Sequence, residues 1–284
     1  LATSIGGEQL FRPAPGDAEL ESQLAQSADP LADALQRLGE PPPHAATDTA
    51  ALPAPLRLEL ALLLDSVGRA ERFRQRAFAA LPPELTPERL VRQVVDGRLA
   101  EFETPDFREW VPQVEYAALA AGMQDLSAAT ERMVRFLRST PDLPALRWEA
   151  DTALGRIVID TREHDDRHTL ADGLLIIDLG GNDRYTGFAA DNRRISLVID
   201  LAGDDCHEGT AGAVLGYAVV WDVAGNDRHG PCTDADAAAP RLAQAAALFG
   251  AALLVDEDGD DDYRAGTHAQ AWALAGLALL VDRR

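Results

Sequence analysis

The chain has 284 residues, room for one or two domains with an ample core. Its formal net charge is −21, and all 26 basic residues are Arg; such a surface repels nucleic-acid phosphates and anionic lipid, so neither is expected as a partner. No apolar run approaches the ~18 residues of a membrane helix, so no membrane span is expected.

Residues 1–15, with Gly6-Gly7 and two prolines, read as a loose lead-in. Leu20, Leu24, Leu31, Leu35 and Leu38 mark a helix over 17–39, stopped by Gly39. Pro41-Pro42-Pro43 begins a stiff linker that runs to Pro55. A long helix rich in Leu, Ala and Arg follows over Leu56–Ala80. Thr86-Pro87-Glu88 opens another, with Thr as N-cap and Pro at the first helical position, and Gly97 closes it. Two more helices are predicted over 106–121 and 125–139, the second opened by Asp125 or Ser127. Their apolar stripes are ordinary core, and nothing in residues 1–145 proposes chemistry.

The acid usage changes near residue 150. Residues 1–150 hold 14 Glu and 9 Asp, whereas 151–284 hold 3 Glu and 21 Asp. Glu suits helices and Asp suits turns and caps, so the architecture changes there. A helical region over 1–145 and an Asp-rich repeat region over 146–284 are the expected domains. A short apolar run ending in Asp recurs at Asp160, Asp178, Asp200, Asp222, Asp256 and Asp282, with steps of 18, 22, 22, 34 and 26 residues. The long step holds an insert near Thr233–Pro240, predicted as a surface loop. Four copies carry a full acidic phrase: Gly180-Gly181-Asn182-Asp183-Arg184-Tyr185, Gly203-Asp204-Asp205-Cys206-His207, Gly225-Asn226-Asp227-Arg228-His229 and Gly259-Asp260-Asp261-Asp262-Tyr263. Gln244 and Gln270 each precede a closing Asp by 12 residues, a second signal in the same register.

Short Val/Ile-rich runs repeating without intervening helices predict stacked strands. The expected fold is therefore α+β, an α-helical N-terminal region followed by a parallel β-solenoid. The helical leader is expected to pack over the N-terminal end of that stack. Equivalent residues on stacked strands lie ~4.8 Å apart, which places three acidic columns in line. The candidate metal ligands are Asp178, Asp200, Asp222 and Asp256; Asn182, Asp204, Asn226 and Asp260; and Asp183, Asp205, Asp227 and Asp261. Bare carboxylates at that spacing repel, and Ca²⁺, which takes six to eight oxygens, would relieve the repulsion. Asp and Asn are also what tight turns use without any ligand, and Arg184 and Arg228 stand where they could neutralise the acids instead. His207 and His229, in register 22 residues apart, offer a transition-metal alternative, although Tyr185 and Tyr263 share their column and suggest packing. Cys206 and Cys232 sit at unlike offsets in their repeats, which argues against a disulfide between them.

The phrase Gly180–Tyr185 and its copies resemble the hemolysin-type (RTX-like) calcium-binding repeat, Gly-Gly-x-Gly-x-Asp-x-apolar-x. The second Gly-x-Gly is missing and the copies are not tandem nonapeptides, so the resemblance implies calcium in the turns but not an intact calcium roll. The wider layout, with Leu154-Gly155-Arg156-Ile157-Val158 opening the repeats, resembles a group of bacterial Asp-rich repeat proteins and implies no activity. The functional expectation is a non-catalytic structural or binding module whose acidic turns hold Ca²⁺. A secreted or periplasmic location fits, because free Ca²⁺ is abundant there and the chain starts at Leu1 without Met. A polysaccharide, a protein or a second copy joined at an edge strand are the expected partners. The alternative is a carbohydrate-active enzyme, glycosidase or lyase, using Asp205, Asp227 and Arg228. A periodic array argues against it, because catalysis needs one unique site.

Overall fold

The structure, a computed structural model, describes residues 17–39, 48–94, 105–187, 195–233 and 238–283. The expected lead-in over 1–15, Pro41–Pro43, the stop at Gly97 and the middle of the Thr233–Pro240 insert lie outside those residues.

Among the described residues, six helices precede residue 147: α1 (Asp17–Leu24), α2 (Pro30–Arg37), α3 (Ala54–Ala77), α4 (Pro87–Val94), α5 (Pro105–Trp110) and α6 (Tyr116–Arg138). The single helix expected over 17–39 is two. Asp29 accepts the Ala32 N–H at 3.1 Å, and Pro30 takes the first helical position, so a new helix starts there. The α4 cap is as expected, with Thr86 Oγ1 accepting the Arg89 N–H at 3.3 Å. The helices expected over 106–121 and 125–139 are divided differently. A 3₁₀ turn over Val111–Gln113, containing Pro112, follows α5, and α6 then runs for 23 residues without a break. Ser127 opens nothing; its hydroxyl donates back to Met123 O at 2.8 Å inside α6.

All the strands follow, in three sheets. The long sheet has seven strands in the order Arg147–Thr152, Gly155–Asp160, Gly173–Asp178, Ile195–Asp200, Tyr217–Asp222, Ala251–Asp256 and Leu277–Asp282. A five-stranded sheet carries Arg167–Thr169, Arg184–Thr186, Cys206–Glu208, Arg228–His229 and Asp262–Tyr263, and a three-stranded sheet carries Gly212–Val214, Ala246–Leu248 and Ala273–Leu274. The α+β class holds, but the expected parallel β-solenoid is corrected: the strands belong to three separate sheets, and the largest is mixed. Arg147–Thr152 pairs antiparallel with Gly155–Asp160. Thr152 Oγ1 takes the Leu154 and Gly155 N–H groups at 3.1 and 3.2 Å, which folds the chain back in a tight hairpin. That first strand carries none of the repeat residues, so the pattern could not announce it.

The acidic register itself forms as expected. Asp160, Asp178, Asp200, Asp222, Asp256 and Asp282 are successive partners down the long sheet. Both faces of the strands from Gly173–Asp178 to Ala251–Asp256 are buried, which explains their continuous apolar runs, whereas the last strand, Leu277–Asp282, is half-buried to exposed. Ile159, Ile177, Ile199 and Val255 face the helices, in one core with Leu60, Leu64, Leu119 and Leu126. Val158, Ile176, Val198, Val220 and Leu254 point the other way and pack with Ala213, Ala247 and Tyr185 of the smaller sheets.

The helices therefore lie across the face of the long sheet, correcting the expectation that they cap its N-terminal end. The contact is specific. Tyr217 donates its hydroxyl to Leu119 O at 3.1 Å, and a Cβ added at Gly122 of α6 would overlap that hydroxyl. Trp148 Nε1 donates to Asp48 O at 2.9 Å. The physical reason is area: six strands with an apolar outer face need a cover as broad as the sheet, and only the long helices α3 and α6 supply it. No helix among the described residues is long and apolar enough to cross a membrane.

Candidate metal centre

Each long strand ends in an Asp, a Gly-containing turn follows, and the next acid lands on the short sheet's edge. The glycines make this spacing possible. A Cβ at Gly225 would overlap Gly203 O and lie 2.7 Å from Asp227 Oδ1; Gly203 and Gly259 are confined in the same way by Gly181 O and Gly225 O.

The columns differ in what they do. Asn182, Asp204, Asn226 and Asp260 form an exposed ladder. Asp204 N–H donates to Asn182 Oδ1, Asn226 N–H to Asp204 Oδ1 and Asp260 N–H to Asn226 Oδ1, at 2.9, 2.9 and 3.1 Å. These residues join none of the buried clusters; they do what turn residues do without a ligand.

Asp183, Asp205, Asp227 and Asp261 form a second ladder, three of them buried. One oxygen of each accepts the N–H of the preceding rung: Asp166, Asp183, Asp205 and Asp227 donate at 2.5, 2.5, 2.7 and 2.9 Å. The other oxygen, Oδ2, is buried without a hydrogen-bond partner in all four.

Asp178, Asp200, Asp222 and Asp256 lie between that ladder and a stack of rings. His168, Tyr185, His207, His229 and Tyr263 stack face to face with centroids 5.0, 4.7, 4.8 and 4.7 Å apart. Each ring binds a strand-end acid. His168, His207 and His229 Nε2 meet Asp178, Asp222 and Asp256 at 3.0, 2.9 and 3.0 Å; Tyr185 donates to Asp200, and Tyr263 to Asp256 at 2.8 Å. Burial drives the His207 imidazole down to about 4 and His229 in the same direction. Nδ1 of both rings has no partner. The transition-metal set expected from His207 and His229 does not assemble. The Nε2 atom of each is taken by a single acid, and among the described residues His168 is the ring that joins a three-ligand cluster.

The acids converge in overlapping groups whose ligand atoms lie within 4.8 Å of one another. Asp183 joins Asp200 and Asp205, Asp205 joins Asp222 and Asp227, and Asp227 joins Asp256 and Asp261. At the first rung the groups are Asp160 with Asp166 and Asp178, and His168 with Asp178 and Asp183. The unpartnered Oδ2 atoms belong to these residues, together with Oδ1 of Asp222 and Asp256.

The first rung shows how the fold satisfies such a carboxylate with its own atoms. Arg162 Nε and Nη2 donate to Asp160 at 2.8 and 2.5 Å, and Arg147 Nη1 at 3.0 Å. Burial works against the Asp160 anion, but the guanidinium groups outweigh it and hold the carboxyl at about 2. The later rungs lack this. Burial, with neighbouring carboxylates adding to it, pushes Asp183 up to about 6, Asp205 and Asp222 to about 7 and Asp227 to about 9. Asp200 moves the same way, by burial and the neighbouring Asp205 and Asp222 carboxylates. Arg184 and Arg228, expected to neutralise these acids, turn to others: Arg184 to Glu208 at 2.5 Å, and Arg228 to Asp262 at 3.9 Å. The pattern of acids was legible in sequence, and Asp165-Asp166-Arg167-His168, a degenerate first copy of the phrase, placed His168 in the ring column; the arginine pair was not legible, because no repeat places it.

Cys206 and Cys232 are joined by a disulfide, with Cα atoms 5.7 Å apart, contrary to expectation. Cys206 pairs in register with Arg228 one rung on, and the bend after His229 returns Cys232 beside it. The offsets are unlike because the bond joins a strand to the loop of the next rung. The enzyme candidates Asp205 and Asp227 are 3% and 2% exposed. Cavities of 390 and 690 Å³ are lined by other residues, among them Trp110 and His164 respectively. Comparison of the chain with protein-family models, curated proteins and solved structures finds no match.

Proposed function

We propose that this chain is a non-catalytic structural or binding module whose acidic turns hold Ca²⁺. The observation that carries the reading is the set of buried carboxylate oxygens of Asp183, Asp205, Asp222, Asp227, Asp256 and Asp261 that meet no donor. Unpaired buried anions cost several kcal/mol each, so they demand a cation or a proton. The contrast with Asp160, where two arginines serve, supports a cation. The ligand set is all oxygen, and the Gly181, Gly203 and Gly225 carbonyls stack beside it, which suits a hard ion such as Ca²⁺. Bound there, Ca²⁺ supplies fixed positive charge that ties one rung to the next. The resemblance to hemolysin-type repeats points the same way. An exported location belongs to this reading, and the disulfide supports it, since such bonds persist in oxidising compartments. A protein or polysaccharide partner would meet the exposed Asx ladder rather than the buried acids. A glycosidase reading is less well supported, because Asp205 and Asp227 are buried and one oxygen of each is already bonded to a backbone N–H.

The test is thermal melting of the intact chain in chelator and in millimolar Ca²⁺, with Mg²⁺ as control. At a hundredfold excess over Kd, linkage contributes about 2.7 kcal/mol, a rise of roughly 5–10 °C for a chain of this size. Coincident curves in chelator and Ca²⁺ would leave a ladder of proton-sharing carboxyl groups and sink the metal reading.

A further inference from the structure

The clusters are not independent. Asp205 belongs to the group with Asp183 and Asp200 and also to the group with Asp222 and Asp227; Asp227 belongs to that group and to the one with Asp256 and Asp261. Each of these two acids has one oxygen committed to a backbone N–H, Asp205 to that of Asp183 and Asp227 to that of Asp205, and the other buried without a partner. Both are at least nine-tenths buried. An ion in one group would therefore share a ligand with the ion in the next.

The first rung is different. Asp160, Asp166 and Asp178 also converge, but Arg162 reaches Asp160 and Asp166, at 2.5 and 3.4 Å, and Arg147 reaches the same two acids at 3.0 and 3.5 Å. Two guanidinium groups already stand where a metal would, and their charge repels one from the adjoining His168–Asp178–Asp183 group.

We propose that the chain holds three divalent ions in single file, bridged by the Asp205 and Asp227 carboxylates, and that the Arg147–Arg162 pair ends the file at the first rung. This rests on the reading of the acidic turns as Ca²⁺ sites. The charge balance fits: three divalent ions bring six positive charges to the seven carboxylates of the three groups. Bridging also explains why the acids recur at every rung, because each rung supplies half of two sites.

The experiment is an ion count by native mass spectrometry on intact protein, stripped with chelator and returned to Ca²⁺. Wild type should carry three ions. Asp205→Asn keeps the Oδ1 acceptor for the Asp183 N–H but removes the bridging charge, and should leave one ion. Asp227→Asn should also leave one. Asp222→Asn, which belongs to a single group, should leave two, and the exposed Asp204→Asn should leave three. Circular dichroism identifies the variants that keep the fold, and either bridging variant alone decides the point. Loss of only one ion from a folded Asp205→Asn or Asp227→Asn protein overturns the shared-ligand file while leaving Ca²⁺ binding intact. No ion in wild type overturns the underlying reading instead. The Arg147→Gln, Arg162→Gln double variant should gain a fourth ion; a count still at three overturns the role given to that pair.

Discussion

At the scale of single residues, the same acid in the same column meets opposite fates according to its neighbours. Asp160 and Asp222 are both 0% exposed at strand ends, yet Asp160 is held at about 2 by arginine whereas Asp222 is pushed to about 7. Removing the Arg162 guanidinium should strand part of the Asp160 charge. Arg162→Gln is expected to lower the denaturant midpoint. Asp160→Asn in the same chain should restore much of it, as read by denaturant unfolding. Gly225 is a second single-residue constraint. Its missing Cβ is where Gly203 O sits, and the obstacle is backbone rather than a flexible side chain. Gly225→Ala should therefore cost at least the about 1–3 kcal/mol typical of overpacking, and its midpoint should fall accordingly.

At the scale of elements, the ring stack joins the five-stranded sheet to the strand-end acids. His207 is fully enclosed between Tyr185 and His229 and is hydrogen-bonded through Nε2 to Asp222. Truncation to Ala would open a cavity and leave Asp222 without its partner, a loss of about 3–5 kcal/mol. His207→Tyr should be far milder, about 1.5 kcal/mol or less, because Tyr185 fills the adjoining rung and reaches its acid with a hydroxyl. Equilibrium unfolding of the two variants separates a generic ring position from a site that needs imidazole. Corners of the fold carry a related periodicity. Ala211, Ala245 and Ala271 have φ of 55°, 60° and 60°, and Gln244 and Gln270 have 56° and 55°. The paired glutamines seen in sequence thus mark a stacked left-handed corner, where Gln244 Nε2 holds His229 O at 2.6 Å. Their spacing was visible, but the left-handed backbone was not, because Ala and Gln rarely adopt it.

At the scale of the whole molecule, the buried acids make stability depend on pH and metal together. Asp183, Asp205, Asp222 and Asp227 have folded values raised above the unfolded ~3.9. Groups shifted upward contribute their full stability below the unfolded value and lose it as pH rises through the folded one. In chelator, stability should therefore fall from pH ~4 to ~9, by up to about 1.4 kcal/mol per pH unit for each proton released, and the melting temperature should fall with it. Ca²⁺ should flatten that slope at the alkaline end, where it replaces the lost protons. A melting temperature that does not fall with pH in chelator would refute the burial argument. The helices belong to this scale too. Leu60, Leu119, Ile177 and Ile199 share one core, so the strands are not self-sufficient. Removing residues 1–145 should expose the outer face of the long sheet, and light scattering on residues 146–284 should show association.

The repeat determined the register by itself. An apolar run closed by Asp, with Gly and a second Asp at constant offsets, can stack in one way only without turning its apolar residues to water, and the in-line columns follow. Composition likewise located the change from helix to strand, because Glu-rich and Asp-rich stretches suit different backbones. Only the tertiary structure decided which columns are buried. That depends on the ring stack and the helical cover, and both come from residues far away in the chain. The antiparallel first strand, the Cys206–Cys232 bond and the arginine pair at Asp160 were settled at the same level. Each occurs once and has no period. What a repeat encodes is a spacing, whereas what neutralises a charge or covers a sheet is set by whichever groups the folded chain brings to it.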